Sequence, residues 1–516
     1  TEAVLQKYYD SMILQAEHIM ECHSAYRYMS NWGVIENHGL FEIGVCLPQS
    51  EKTKQFIAFA VKNLEVQVRM QIMPDGVHWE QSPMYHNEVL HCLLDVILLA
   101  KRNDIALPDV ILRQTEKMAM ADVAWLKPDH HIVMMGDSDD VDVRDRISVA
   151  AYLFLNPVLR FGGFDRLDYE SIWDLGMKAG EEYAGMERRK PDFTSLFLEH
   201  SGNTYFRSDW SERANFLHLH SGTMGAGHGH SDKLHIDLVV NGEDVLMDGG
   251  RYTYVSGPKR FSYKDPSGHN TITVDDLPFT VCKDSWECSK LSQPVKENFR
   301  CMELAEFAQA GQLGYMDLPG GVYVNRKVVY IKPDLYVLAD EMYTGDRHTY
   351  QQYFHFNNHG TVTQNAPGEK KFPCVAYRGK MAEADFYFVS AQVKAELKRG
   401  HIARHYNVEE ENTVCKVTKP GDGFTSLITV IDAHPGRPLS IEKLPVRSAL
   451  KQTDYPETMA EALKITTGEK EYVVILCHQE VNSPTDLVEA DGCMGYGNVI
   501  VFDKAEDVLV GDVLNW

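Results

Sequence analysis

The spacing of apolar residues changes near residue 190, and this change limits the possible folds more than any other feature of the chain. Over residues 1–185 apolar residues recur every three or four positions, as in MYHNEVLHCLLDVILLAKRN at 84–103, a pattern typical of amphipathic helices. From about Tyr205 onward they alternate at every second position between turn residues, as in GVYVNRKVVYI at 321–331. Such alternation is typical of strands with one buried face. We therefore predict an all-α half followed by an all-β half.

The connections between these elements indicate how each half packs. Short polar or proline-bearing segments such as LPQSEK and NDIALPD join the helices, which favours antiparallel helical hairpins. Regularly spaced short strands favour antiparallel sheets stacked as a sandwich. With ERRKPDF at 187–193 as the linker, we predict a helical domain over 1–190 and a β-sandwich domain over 200–516. A chain of 516 residues is long enough for two such domains.

The net charge, the apolar runs and the cysteines limit the partners and the cellular location that we expect for this protein. The formal net charge of −23 argues against nucleic acid, and an anionic ligand would need locally concentrated positive groups. The sequence has no apolar run of about 18 residues, so we expect no membrane span. The ten cysteines form no CxxC pair, which favours reduced thiols. Since the first residues do not form a signal peptide, we expect a cytoplasmic protein, or a secreted or periplasmic one if a leader has been removed.

Residues 227–270 hold the densest group of side chains able to carry chemistry: His228, His230, Asp232, Asp248 and His269. His228 and His230 are two residues apart, so on an extended strand both leave from one face. An Asn-Gly pair at 241–242 predicts a tight hairpin that returns Asp248 towards them. Imidazole and carboxylate ligands favour zinc, and we expect no organic cofactor. The group suits a metal site, a proton-transfer site, or both.

Two loops of the helical half, and basic residues near the histidines, are candidate ligand contacts. The segment 31–44, NWGVIENHGLFEIG, is predicted as a loop ahead of a helix, and 73–88, MPDGVHWEQSPMYHNE, as a loop that enters a helix at its proline. Polar loop residues between packed helices commonly bind ligands. The acidic run GDSDDVDVRDR at 136–146 either caps a helix or binds a cation. The predicted substrate contacts are His78, Glu80, His86, Arg251, Tyr254, Lys259 and Arg260.

These motifs resemble those of the heparinase II/III-like polysaccharide lyases, including heparinase III-type and exo-alginate lyase relatives. The matching segments follow the family's order: NH at 37–38, PDGVHWEQSPMYH at 74–86, GDSDDVDVRD at 136–145, GHGHSD at 227–232, LMDGG at 246–250 and GHNTITVDD at 268–276. The resemblance implies an incomplete (α/α) toroid followed by an antiparallel β-sandwich, in agreement with the two halves. The helical half is shorter than the family's usual toroid.

The resemblance also implies a reaction, the β-elimination of a uronate-containing polysaccharide. Removing a proton beside an ionised carboxylate requires donors that stabilise the developing charge, and Asn37, assisted by His38, matches that role. Tyr85 and His228 match the acid and base that act on the sugar. Tyr85 fits as the acid towards O4, or as base and acid in turn when the two protons share a face, and His228 fits as the base for the opposite epimer. His230, Asp248 and His269 match the family's metal positions, with Zn²⁺ in a structural role.

Several alternatives remain open from the residues alone. A glycosaminoglycan such as heparan sulfate, hyaluronan or chondroitin is the expected substrate, and alginate or oligoalginate is the alternative. A zinc-dependent hydrolase would activate water on a metal held by His228, His230 and Asp248. A non-catalytic glycan-binding protein would retain the fold without turnover. Only a lyase gives a 4,5-unsaturated uronate end without taking up water.

Overall fold

The computed structural model describes residues 2–366, 368, 370–468, 470–479, 486–504 and 510–515. All but one of its α-helices lie before the first strand, which confirms the predicted helical half. The helices are α1 (Glu2–Cys22), α2 (Asn31–Cys46), α3 (Glu51–Gln71), α4 (Pro83–Arg102), α5 (Asp109–Trp125), α6 (Arg144–Phe154), α7 (Pro157–Gly162), α8 (Tyr169–Leu175), α9 (Met177–Ala184) and α10 (Pro258–Lys264). No helix in these ranges is long and apolar enough to cross a membrane.

Alternate helices of this half form two layers. α2 and α6 both contact α4 in one layer, while α3 and α7 both contact α5 in the other. Consecutive helices also pack as hairpins, with α2 against α3 and α4 against α5. This alternation is the packing of an (α/α) toroid, and Leu90, Leu93 and Trp125 lie in its buried core.

The segment 31–44 is helix α2 rather than the predicted loop. Glycine lowers helix propensity, and the segment contains three glycines. Two of them permit close packing. A Cβ atom at Gly33 would lie 1.9 Å from the Arg27 carbonyl oxygen, and one at Gly44 would lie 2.6 Å from Ile57 Cγ1. The loop prediction was wrong because tertiary packing outweighs the local preference.

The second half is built almost entirely of antiparallel strands. In the described residues they are β1 (Leu196–Leu198), β2 (Asn203–Arg207), β3 (Phe216–His220), β4 (His235–Val240), β5 (Glu243–Leu246), β6 (Ile272–Val274), β7 (Val281–Cys282), β8 (Cys288–Lys290), β9 (Pro294–Cys301), β10 (Ala305–Tyr315), β11 (Val322–Ile331), β12 (Leu335–Phe356), β13 (Thr361–Gln364), β14 (Cys374–Arg378), β15 (Glu383–Phe388), β16 (Lys394–His405), β17 (Val408–Asp432), β18 (Leu439–Leu444), β19 (Arg447–Ser448), β20 (Ala460–Thr467), β21 (Lys470–Cys477), β22 (Val488–Ala490), β23 (Cys493–Gly495), β24 (Val499–Asp503) and β25 (Val510–Asn515). The short helix α10 departs from the all-β prediction.

A 15-stranded sheet and a five-stranded sheet form the layers of this half. The long strands β12 and β17 pair with each other along both of their lengths and connect the two ends of the large sheet. The five-stranded sheet, in the order β18-β20-β21-β24-β25, packs on it through one apolar cluster. That cluster joins Val337 and Ile428 to Leu463 and Val474, which confirms the predicted antiparallel sandwich.

The helical half packs on the first strands of the large sheet. Tyr205, Phe216 and Val239 from β2, β3 and β4 belong to the same buried cluster as the helical core. The strands β4 and β5 form the predicted hairpin, with Asn241 and Gly242 both at positive φ (50° and 81°). These contacts place the histidine-rich loops of the sheet beside the ends of the helices.

A buried histidine between the two sheets offers a pH test of this packing. His478 Nδ1 donates to Glu341 (2.7 Å), and its Nε2 donates to Glu461 (3.0 Å). Burial alone would lower the pKa of His478, but the two carboxylates raise it above its usual value. A raised folded pKa gives stability that is present below pH of about 6.5 and is lost as the pH rises through the folded pKa.

Between pH 6 and pH 9 we therefore expect the unfolding free energy of the wild-type protein to fall by more than that of His478→Gln. The expected difference between the two decreases is about 1.5–3 kcal/mol. Urea unfolding of both proteins at the two pH values measures this difference. His434→Gln, which changes a mostly exposed histidine, is the control and should follow the wild type. Parallel pH profiles for the wild type and His478→Gln would contradict the assignment.

Candidate active site

Tyr85, the first residue of the site, lies at the start of α4. The helix begins at Pro83, as predicted, and Tyr85 lies in its first turn. The N-cap residue Ser82 donates from its hydroxyl to the Asp137 carbonyl oxygen (3.1 Å). This bond fixes the first turn of α4 against the acidic segment that follows α5.

Tyr85 and His228 stack directly on each other. Their ring centroids are 3.5 Å apart and the ring planes differ by 15°. The structure therefore brings together, from different halves of the chain, the two residues paired by the resemblance. Because no sugar ring fits between two rings in contact, a substrate must lie across the edge of the stack.

His228 and His230 lie in a glycine-rich turn rather than on the predicted strand. A Cβ atom at the intervening Gly229 would lie 1.6 Å from the Met224 carbonyl oxygen, so the turn requires glycine there. The strand prediction was wrong for this reason. The two imidazoles nevertheless converge, since both donate to the carboxylate of Asp137.

The Asp137 carboxylate binds three basic side chains of the site. Its Oδ2 accepts from His228 Nδ1 (2.9 Å), its Oδ1 accepts from His230 Nε2 (2.8 Å), and the Arg260 guanidinium lies 2.6 Å from Oδ1. Burial would raise the pKa of Asp137, but the two histidine bonds and the Arg260 charge hold it well below its usual range. With Nδ1 bound as a donor, His228 keeps Nε2 as a proton acceptor.

A second chain of polar groups reaches the Tyr85 hydroxyl, which lies 2.8 Å from the Tyr254 hydroxyl. Arg251 donates to the Tyr254 oxygen (2.6 Å) and forms a two-point ion pair with Asp139 (2.7 and 2.9 Å). Since Arg251 can only donate, the Tyr254 proton is available for the Tyr85 oxygen. The Tyr85 proton is then free for a ligand. Burial raises the pKa of Tyr85, which keeps it protonated near neutral pH.

Aromatic side chains complete the walls. Trp286 packs edge-on against His228 (5.3 Å) and beside Tyr254 (5.1 Å), while Tyr406 lies 5.2 Å from Tyr254. Trp286 sits on the hairpin between β7 and β8. Trp286, Asp137 and Asp139 were not among the site residues predicted from the sequence. The acidic run containing both aspartates was predicted only as a cap or a cation site, although its place among the matching motifs was a signal.

The predicted basic substrate contacts have structural partners instead. Arg260 is fully buried against Asp137, and Arg251 is 6% exposed and bound to Asp139. Lys259 forms an ion pair with Glu409. Among the predicted contacts, Tyr254 is the one that the structure places directly beside Tyr85.

The loop residues of 73–88 are mostly core residues. His78 and His86 are both fully buried, and His86 Nδ1 accepts from the His78 amide (3.2 Å). Burial lowers the pKa of His86 to about 3 and that of His78 well below its usual value, so both rings are neutral. This burial gives no support to their predicted role as substrate contacts, because a polysaccharide does not reach fully buried rings. Glu80 is also buried, and burial raises its pKa.

Asn37 and His38 do not approach the Tyr85–His228 stack in the described contacts. The Asn37 amide is fully buried and donates to the Gly33 carbonyl oxygen (2.7 Å) inside α2. His38 faces Asp95 of α4 at 3.4 Å. Burial would lower the pKa of His38, but its interactions with Asp95, Cys92 and Glu42 together raise the pKa to about 10. The geometry therefore gives no support to the role predicted for this pair.

A different amide of α2 lies beside the site. Asn31, the first residue of α2, donates from Nδ2 to Glu80 (2.8 Å) and is 3% exposed. Glu80 in turn lies within electrostatic range of His228 and Asp137. The Oδ1 atom of Asn31 is buried without a hydrogen-bond partner in the described residues. Sequence reasoning missed Asn31 because it placed the whole segment in a loop.

His230, Asp248 and His269 meet as a buried triad. One potential ligand atom of each lies within 4.8 Å of the others. Two nitrogens, His230 Nδ1 and His269 Nε2, are buried without hydrogen-bond partners in the described residues. Burial lowers the pKa of His230 to about 3, which leaves the neutral ring that binds metal. The triad fits a metal such as zinc, and it contains His269 rather than the His228 of the hydrolase alternative.

Two sequence models of one family match the chain. The model described as heparinase II/III N-terminus matches residues 1–157, and that described as heparinase II/III-like, C-terminal, matches residues 190–440. Together they cover the helical half and most of the large sheet.

Curated relatives share low identity with the chain. A heparin-sulfate lyase of Pedobacter heparinus is 24% identical over 307 residues, which cover 56% of this chain and 42% of the relative. A heparin-sulfate lyase of Bacteroides stercoris is 20% identical over 413 residues, which cover 74% of this chain and 56% of the relative. The chain thus spans about half the length of these relatives.

Solved structures share the fold. Heparan sulfate lyase HepC from Pedobacter heparinus superposes with a TM-score of 0.72 at 18% identity, covering 94% of this chain and 71% of that one. A structure titled heparinase III superposes with a TM-score of 0.71 at 16% identity, covering 90% and 69%. Both matches extend over the helical half and the sheets.

Proposed function

Because the chain belongs to the heparinase II/III-like family, we propose that it is a polysaccharide lyase that cleaves an acidic glycosaminoglycan by β-elimination. The observation that carries the proposal is the contact between the Tyr85 phenol and a His228 ring whose Nδ1 is held by Asp137. We favour heparan sulfate as the substrate, since the curated relatives are heparin-sulfate lyases.

His228 is the base in this proposal. Its Nδ1 donates to Asp137, which leaves Nε2 to accept the C5 proton of the uronate. The developing imidazolium is stabilised by the Asp137 carboxylate. General acid and base groups each contribute about 10²–10⁴-fold to such reactions.

Tyr85 is the acid. Its raised pKa keeps the phenol protonated, and the Arg251–Tyr254 chain supports its oxygen as the proton moves to the leaving O4. Because acid and base share one wall, both bonds must break on the same face of the sugar. In a D-glucuronate the C5 proton and O4 lie on one face, so this arrangement favours glucuronate over its C5 epimer.

Asn31 is our candidate for stabilising the uronate carboxylate as charge develops. Its Nδ2 donates one hydrogen to Glu80 and has no second acceptor in the described residues, whereas Asn37 Nδ2 donates to both Gly33 and Gln67 within the helical half. Loss of one such donor raises the activation free energy by about 2.7–4 kcal/mol, which lowers the rate by roughly 10²–10³-fold.

Asn31→Ala should therefore lower kcat of the folded protein by about 10²–10³-fold, and the loss of its buried hydrogen bond to Glu80 should also cost about 1–3 kcal/mol in stability. Asn37→Ala is the matched comparison in the same helix. It removes a buried hydrogen bond, so we expect a loss of about 1–3 kcal/mol in stability with nearly normal turnover by the folded protein. Initial rates and urea unfolding of both variants measure this, and the reverse pattern of rates would restore Asn37 to the mechanism.

A structural zinc ion would be held by His230, Asp248 and His269. When bound, it would fix the turn between His228 and His230 without acting on the substrate. His269→Ala should lower the zinc content of the purified protein from about one ion to near zero and reduce Tm, since a ligand is lost.

Elemental analysis and thermal unfolding measure both effects. The exposed His200 supplies the control variant, His200→Ala, which should retain the metal. Full zinc occupancy after the change at His269 would refute this ligand set.

The decisive assay offers heparan sulfate, hyaluronan, chondroitin and alginate in ¹⁸O-labelled water. A lyase gives an ultraviolet-absorbing product without solvent oxygen, with the highest rate expected on heparan sulfate. Products that contain ¹⁸O and lack the absorbance would identify a hydrolase. Affinity without any turnover would identify a glycan-binding protein. A preference for alginate would overturn the substrate proposed.

A further inference from the structure

A cationic cavity of about 700 Å³ lies where the helical half meets β2, and its lining shares no residue with the site described above. Five lysine and arginine side chains line it, against two carboxylates, in a chain whose net charge is −23. Its volume falls within the range of small-ligand sites. Such a local excess of positive charge is what an anionic ligand needs on an acidic protein.

Arg207 of β2 is the central group. It is 3% exposed, and its guanidinium lies between the rings of Trp210 (4.2 Å) and Phe216 (4.8 Å). Its described side-chain hydrogen bond goes from Nη2 to the Leu126 carbonyl oxygen, and no described carboxylate lies within ion-pair distance of it. Burial lowers its pKa to about 9. A buried charge without a counter-ion is costly, and an anionic ligand would offset that cost.

A second arginine in the cavity has no counter-ion either. Arg166 lines the cavity, is exposed, and makes no ion pair in the described residues. By contrast Arg144 pairs with Asp142, Arg188 pairs with Asp165, and Lys127 pairs with Asp140 and Asp244. Arg207 and Arg166 therefore supply the uncompensated charge.

Aromatic side chains form part of the remaining walls. Phe161, Phe164 and Trp210 line the cavity, and each has an arginine guanidinium over one of its faces. Aromatic rings pack on the C–H faces of sugars, and guanidinium groups bind sulfate and carboxylate groups through paired hydrogen bonds. The combination suits a charged sugar better than a free inorganic anion, which would not use the rings.

We propose that this cavity is a second binding position for an acidic saccharide, whose sulfate or carboxylate group pairs with Arg207 and Arg166 while a sugar ring lies on the aromatic wall. It would hold a segment of the polysaccharide away from the reacting bond and take no part in the chemistry. The choice of ligand rests on the proposed function, because an acidic glycan is the substrate there.

Equilibrium dialysis with a labelled heparan sulfate octasaccharide tests the proposal in the full chain carrying Tyr85→Phe, which prevents turnover. We expect two bound oligosaccharides per chain. Adding Arg166→Glu, or in a separate protein Arg207→Gln, should weaken one of the two sites by about tenfold or more and leave the other unchanged. Arg113→Glu, at an exposed arginine of α5 outside the cavity, is the matched control and should retain both sites.

Oligosaccharide binding that neither arginine variant weakens would overturn the proposal, whatever the number of molecules bound. Inorganic sulfate is the second probe. If it protects the chain from thermal unfolding through Arg207 while the oligosaccharide does not bind there, the cavity is a site for a free anion and the saccharide assignment is wrong. Failure of the lyase proposal is distinguishable, because it removes the unsaturated product without removing the oligosaccharide binding that depends on Arg166 and Arg207.

Discussion

Tyr85→Phe is expected to reduce turnover by at least about 10²–10⁴-fold while leaving substrate affinity within a few-fold of the wild type. The change keeps the ring that stacks on His228 and removes only the hydroxyl. That hydroxyl is the protonated group at the edge of the stack, and it is supported by Tyr254 and Arg251. Without it the leaving O4 has no proton donor.

Initial rates of ultraviolet product and binding of the intact polysaccharide measure the two effects separately. Tyr252→Phe is the matched control, since Tyr252 stacks on Tyr263 and its hydroxyl has no hydrogen-bond partner in the described residues. It should retain nearly full activity. An active Tyr85→Phe protein would remove the phenol from the mechanism and leave His228 without its proposed partner.

The architecture was predictable because it depends on local patterns. The change in periodicity located both halves, and the Asn241-Gly242 pair fixed a hairpin because only a few residue types accept positive φ at both positions. The triad of His230, Asp248 and His269 also followed from motif positions. In each case the information lies within a few residues, or in a motif whose order is retained along the chain.

The remaining parts of the site depend on contacts between distant segments. Asp137 meets His228 across 91 positions of sequence, and no local pattern distinguishes it from its acidic neighbours. The burial of His86 depends on the packing of α4 against α5, and His78 contacts Gln71 of α3, neither of which a polar-looking loop sequence reveals. The role predicted for Asn37 lacks support from the geometry for a similar reason, because the helix that contains it turns its amide inwards.

Asp137→Asn is expected to produce the largest combined loss, in stability as well as in activity. The change keeps the size of the side chain but leaves the fully buried Arg260 guanidinium without a counter-charge. Breaking a buried ion pair from one side costs about 3–5 kcal/mol. The amide also cannot accept from Arg260, His228 and His230 as the carboxylate does, so the His228 ring loses its orientation.

Urea unfolding measures the first effect, and the rate of the folded protein at low temperature measures the second. Asp142→Asn is the control, since Asp142 pairs with Arg144 in a partly exposed position and should cost no more than about 1 kcal/mol. A stability change as small as that of the control would show that the Asp137 network contributes little to folding.

The double variant Asp137→Asn, Arg260→Met separates the two roles of the carboxylate. Methionine removes the unpaired guanidinium and fills much of its volume, so we expect most of the lost unfolding free energy to return. Turnover should remain low, because His228 Nδ1 still lacks the carboxylate that orients the ring and stabilises its protonated form. Recovery of both properties would mean that Asp137 acts only through folding, and His228 would then have to reach its catalytic position without it.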